Sequence, residues 1–122
     1  MAVPIKTSIA PWIAVPDGAR ALAFYIAAFG ASVLHRLDDG DRTVIAQLAV
    51  DDAQFWFQEE ADAKPAGGPI RMILTVADPD ALFARALAAG ATEIAAVYEG
   101  HGWRVGRLAD PFGYHWEIGR PL

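Results

Sequence analysis

The chain has 122 residues, with 15 acidic side chains against 10 basic ones and a net charge of -5. That length suits one domain, burying roughly two-thirds of its unfolded surface, and the scattered Lys and Arg argue against nucleic acid or an anionic membrane as partner. Cysteine is absent, which excludes a disulfide framework, a thiolate metal site and a cysteine nucleophile.

Ile13-Ala14-Val15 reads as a strand. The helix expected next, about Asp17 to Phe29, has an apolar stripe of Ala21, Leu22, Phe24, Tyr25, Ala28 and Phe29 and a stop at Gly30. Three strands follow: Ala31 to Leu37, Thr43 to Val50 and Ala53 to Glu59. The turns between them are Asp38-Asp39-Gly40-Asp41 and Asp51-Asp52. The stretch 64–69, Lys-Pro-Ala-Gly-Gly-Pro, reads as a linker.

The pattern then begins again. Leu74-Thr75-Val76 is a strand, Asp78 an N-cap, Pro79 a first helical residue and Asp80 a first-turn acid. Leu82, Phe83, Ala86, Leu87 and Ala89 make the apolar stripe, and Gly90 ends it. Thr92 to Tyr98 is a strand, Glu99-Gly100-His101-Gly102 a loop, and Trp103 to Leu108 the next strand. Asp110-Pro111 opens a turn in which Gly113 tolerates positive φ. In the last strand Tyr114, Trp116 and Ile118 point one way, as structural residues, and His115 and Glu117 the other.

Val15 and Val76 lie 61 positions apart, Gly30 and Gly90 lie 60, and Trp56 and Trp116 again 60. Such a repeat predicts two βαβββ modules, about 8–60 and 69–120, in one domain over 1–122. The fold class is α+β, because short hairpins between consecutive strands disfavour a doubly wound parallel sheet. No apolar run approaches the ~20 residues of a membrane span, and Met1-Ala2-Val3-Pro4-Ile5-Lys6 lacks the apolar centre of a secretion signal. The expected location is the cytoplasm.

Three segments, in this order and with a matching repeat, carry a resemblance over nearly the whole chain. They are Ala23-Phe24-Tyr25-Ile26-Ala27-Ala28-Phe29-Gly30-Ala31, Asp78-Pro79-Asp80-Ala81-Leu82 through Gly90-Ala91, and Asp110-Pro111-Phe112-Gly113-Tyr114-His115-Trp116-Glu117. The sequence resembles the glyoxalase/bleomycin resistance/dioxygenase (vicinal oxygen chelate) superfamily. The resemblance implies cup-shaped mixed sheets and a homodimer that completes each cup. In metal-dependent members it also implies a divalent cation held by four side chains from the first and last strands of the modules.

Those four positions fall at Ala10, Trp56, Arg71 and Glu117. Alanine and tryptophan do not ligate a hard cation, and a guanidinium repels one. A shift by one residue, to Ile9, Pro11, Phe55, Phe57, Ile70 or Met72, is no better. One ligand remains where about three are needed. The expectation is therefore no metal, no other cofactor and no assigned catalytic residue. A metal-dependent lyase, isomerase or dioxygenase with a reorganised site, built on His101, His115 and Glu117, is the alternative.

Strand alternation places Gln54, Trp56 and Gln58 toward a cleft and Phe55 and Phe57 toward the core. Gln47 joins from the neighbouring strand, Trp12 from the first strand and Arg71 from the fifth. Trp12 and Trp56 read either as ligand-stacking surface or as core or dimer packing. Trp103, after the glycine-rich loop, reads as closing over a ligand or packing at a subunit contact. Glu117 is expected to pair with Arg71, and His115 to be a hydrogen-bonded wall residue or a functional one. Arg104 and Arg107 are expected on the solvated surface. The ligand-binding set is thus Trp12, Gln47, Gln54, Trp56, Gln58, Arg71, Trp103, His115 and Glu117. The expected function resembles that of the bleomycin-resistance branch: sequestering a small aromatic or planar antibiotic or metabolite in a dimeric cleft. An interaction module with an empty cleft is a third reading.

Overall fold

Each half of the chain builds one helix and one four-stranded mixed sheet in the computed structural model, which describes residues 4–64 and 69–122. Residues 1–3 and 65–68, and with them most of the expected linker and the first part of the N-terminal segment read for a signal, lie outside the described residues. The first half runs β1 (Trp12–Val15), α1 (Gly18–Phe29), β2 (Ser32–Asp39), β3 (Arg42–Val50) and β4 (Ala53–Glu59). Its sheet order is β1-β4-β3-β2, with β1 parallel to β4 and the other pairs antiparallel. The second half runs β5 (Met72–Thr75), α2 (Pro79–Ala89), β6 (Thr92–Gly100), β7 (Trp103–Ala109) and β8 (His115–Pro121). Its order, β5-β8-β7-β6, repeats the first. The α+β class read from the hairpins is the observed one.

Local chemistry explains the helix ends. The Asp17 carboxylate accepts from the Arg20 amide at 3.0 Å, and that of Asp78 from the Ala81 amide at 3.1 Å. Gly18 starts α1 where only glycine fits: a Cβ there would lie 1.8 Å from the Thr43 carbonyl oxygen. Its amide donates to Glu59 Oε2 at 2.9 Å, and the same carboxylate pairs with Arg42. That amide first, and the guanidinium second, hold the Glu59 carboxyl below its ordinary value.

One apolar core runs through both halves. Tyr25 and Phe29 of α1, Phe55 of β4 and Trp116 of β8 meet there, with ring centroids 4.9 to 5.3 Å apart in the Phe29–Trp116, Tyr25–Phe55 and Phe55–Trp116 pairs. Asp110, buried at the seam, accepts from the Tyr25 hydroxyl at 2.6 Å and from Trp116 Nε1 at 2.9 Å. The amides of Phe112 and Tyr114 each donate to its other oxygen at 3.0 Å. Across the same seam the Tyr114 hydroxyl donates to the Ala14 carbonyl at 2.7 Å and accepts from its amide at 3.1 Å.

Two sequence expectations change. The loop at Glu99 to Gly102 shrinks to a two-residue turn, because β6 runs on through Gly100. His101 (φ 53°) and Gly102 (φ 81°) both take the left-handed conformation that a tight hairpin of this twist requires. Trp103 is therefore a strand residue beside a short turn, without a mobile loop to carry it. The second change concerns the tryptophan repeat. Trp12 pairs with Trp56 and Ile73 with Glu117, so Trp56 matches Glu117, and Trp116 matches Phe55. The spacing of 60 between tryptophans is a coincidence of composition across two opposite sheet faces.

Candidate functional site

Each sheet covers its helix with one face and leaves the other open. On the open face of the first sheet the rings of Trp12 and Trp56 stack, with centroids 5.8 Å apart and planes 20° from parallel. Trp12 is 52% exposed. The parallel pairing of β1 with β4 sets these residues side by side, and Phe55 and Phe57 alternate into the core. Gln47 lies opposite Trp56, and its Nε2 donates to Gln54 Oε1 at 3.0 Å. Gln58 follows on the same face beside Ala14. His35 of β2 stands edge-on to Trp56, with centroids 6.4 Å apart. His35 was not among the expected site residues; its pairing opposite Gln47 is the signal that finds it.

The open face of the second sheet has another chemistry. Arg71 Nη1 lies 3.8 Å from Glu117 Oε1, a charge contact longer than a hydrogen bond. Both side chains are partly solvated. Arg107 lies across the ladder from Glu117 and donates from Nε to His115 Nδ1 at 3.1 Å. Arg107 therefore belongs to the open face and not to the general solvated surface, because β7 turns Trp103, Val105 and Arg107 to one side and Gly106 and Leu108 to the core. Arg104, on the opposite face, reaches Asp80 of α2 and Glu99. Trp103 is 37% exposed and lines a cavity of about 240 Å³ with Ile73, Tyr98, Val105 and Glu117.

The expected site residues thus form two groups. Trp12, Gln47, Gln54, Trp56 and Gln58 share the first sheet and Trp103, His115 and Glu117 the second, while Arg71, expected on the fifth strand, lies one residue before β5. A cavity of about 340 Å³ at the junction brings Gln54 of the first group to Arg71 and Ile73. At the four positions that the sequence resemblance assigns to a cation stand Ala10, Trp56, Arg71 and Glu117, and the one carboxylate among them lies 3.8 Å from Arg71 and opposite Arg107 in the ladder. His115 Nδ1 is engaged by Arg107. Among the described residues no three His, Asp or Glu side chains are grouped to hold a metal ion. This donor set does not fit a divalent cation. Among the described residues no helix is long and apolar enough to cross a membrane.

The comparisons with known proteins agree with the fold. Residues 12–119 match the family described as a glyoxalase-like domain. An uncharacterised protein of Mycobacterium bovis is 36% identical over 135 aligned residues, covering 100% of this chain and 88% of that protein. Among solved structures, TioX of Micromonospora sp. ML1 is 27% identical with a TM-score of 0.76, covering 95% of this chain and 100% of that one. The fosfomycin resistance protein FosX of Listeria monocytogenes is similar in fold, at 14% identity and a TM-score of 0.79 over 98% of this chain and 96% of its own. The chain belongs to the glyoxalase-like family of the glyoxalase/bleomycin resistance/dioxygenase superfamily.

Proposed function

We propose that this protein binds a small aromatic or planar molecule without a metal, as a homodimer, and sequesters it as an antibiotic or metabolite. The observation that carries this reading is the stacked, half-exposed Trp12–Trp56 pair, bordered by the hydrogen-bonded amides of Gln47 and Gln54. An open indole pair loses favourable burial in water and gains stacking energy with a planar guest. The amides fix the guest's orientation. The homodimer is supported by exposed apolar side chains beside the cleft, Leu37 among them, which a second copy would cover.

Titration of tryptophan fluorescence with acridine tests the binding claim. Saturable quenching that Trp56→Ala weakens at least about tenfold is the expected result. Undiminished binding by a folded variant removes the pair from the site. Metal analysis of untagged protein should find well under one equivalent of divalent ion. Stoichiometric metal lost in Glu117→Gln would favour the enzymatic alternative. Sedimentation at micromolar concentration should show a dimer.

A further inference from the structure

The open face of the second sheet has a charged end and an aromatic end. At the charged end Arg71 approaches Glu117, and Arg107, opposite Glu117 in the ladder, lines the same cavity. The Arg107 Nε–H donates to His115 Nδ1 at 3.1 Å, so the imidazole stands beside the guanidinium as an acceptor. Two guanidiniums therefore stand against one carboxylate, a local excess of positive charge in a chain whose net charge is -5. Donors exceed acceptors further still, since a guanidinium carries five N–H groups and accepts nothing.

At the aromatic end Tyr98 and Trp103 border one cavity of about 240 Å³. A second, also about 240 Å³, runs past Arg71 and Arg107. Tyr98, Val105 and Glu117 are walls of both, so the two form one trough. An ammonium group there meets two like charges for one opposite. A neutral group leaves forked donors unmatched, whereas a carboxylate accepts from a guanidinium through both oxygens. A single excess charge suits a monoanion.

We infer that this trough binds an aryl carboxylate, its anionic head on Arg71 and Arg107 and its ring between Tyr98 and Trp103. The inference rests on the small-molecule-binding reading above and names the ligand class. Calorimetric titration of the full chain with cinnamate, cinnamamide and cinnamylammonium at neutral pH tests it. Cinnamate should bind about tenfold or more tightly than the amide, as a charge-assisted hydrogen bond predicts, and the ammonium most weakly. Arg71→Gln and Arg107→Gln should each bring the ratio of carboxylate to amide affinity toward one, with melting temperatures reporting that the variants fold. Equal affinities, a preference for the ammonium, or a ratio unchanged in both variants overturns the assignment. If acridine binds and no cinnamyl probe does, only the anion assignment falls. If neither binds, the small-molecule reading falls with it.

Discussion

The two sheets share one backbone plan and differ on one face only. Toward the core, equivalent positions stay apolar: Ile13 and Leu74, Leu48 and Leu108, Phe55 and Trp116, Phe57 and Ile118 are all buried. Toward the cleft, equivalent positions change character: Trp12 against Ile73, Trp56 against Glu117, Gln47 against Arg107. Packing explains the contrast. A core position must fill a shape already fixed by its neighbours, whereas an open position answers to whatever occupies the cleft. One half offers flat uncharged surface and the other a fork of charges beside Tyr98 and Trp103.

The largest expected effect comes from the two tryptophans that sequence spacing pairs and structure separates. Trp116→Ala removes a buried ring from the shared core and should cost about 3–5 kcal/mol in urea unfolding. Trp56→Ala should cost under about 1 kcal/mol, because it trims an open face. Similar losses for both would break the division into core face and cleft face. Asp110→Ala comes next. It orphans the buried Tyr25 hydroxyl and Trp116 Nε1, at about 1–3 kcal/mol for each unmatched group. A loss below about 1 kcal/mol would mean that the seam can rearrange.

Asp110 also gives a pH dependence. Burial pushes its carboxyl above the ordinary value, although the Tyr25 hydroxyl, Trp116 Nε1 and two amides pull the other way. A carboxyl whose folded value lies above its unfolded one binds more protons when folded, so its contribution is full below the ordinary range near 4 and fades as pH rises through the folded value. The carboxyls of Glu59 and Asp80 are lowered, so their contribution runs in the opposite direction and is lost on acidification. The stability difference between wild type and Asp110→Asn isolates the first effect and should shrink as pH rises above the ordinary carboxylate range. A flat or rising difference would contradict it. The smallest effect is Glu117→Gln. At 3.8 Å and partly solvated, the pair with Arg71 should be worth less than about 1 kcal/mol. A larger loss than that, measured beside the Glu99→Gln control, would show a pair held more tightly than the geometry indicates.

Helix ends were legible in the sequence because their chemistry is local: Asp17, Asp78, Pro79, Gly30 and Gly90 each act within a few residues. The alternation of Gln54, Trp56 and Gln58 was legible for the same reason. What escaped depends on partners far along the chain. Arg107 takes its face from pairing with Glu117, and His35 from pairing with Gln47. The turn at His101-Gly102 looked longer because Gly100 reads as a loop residue, although it pairs with Trp103 in the ladder. Asp110 looked like turn chemistry alone, and its hydroxyl and indole donors come from residues 85 and 6 positions away.

The Asp110 carboxylate is held by Tyr25 from the first half and Trp116 from the second, while the Tyr114 hydroxyl grips the backbone of Ala14. Neither half can come apart without exposing atoms the other half satisfies. A chain built as a duplicated unit should therefore melt as a single thermodynamic unit, and calorimetry is expected to show no half-folded species in which one repeat outlives its twin.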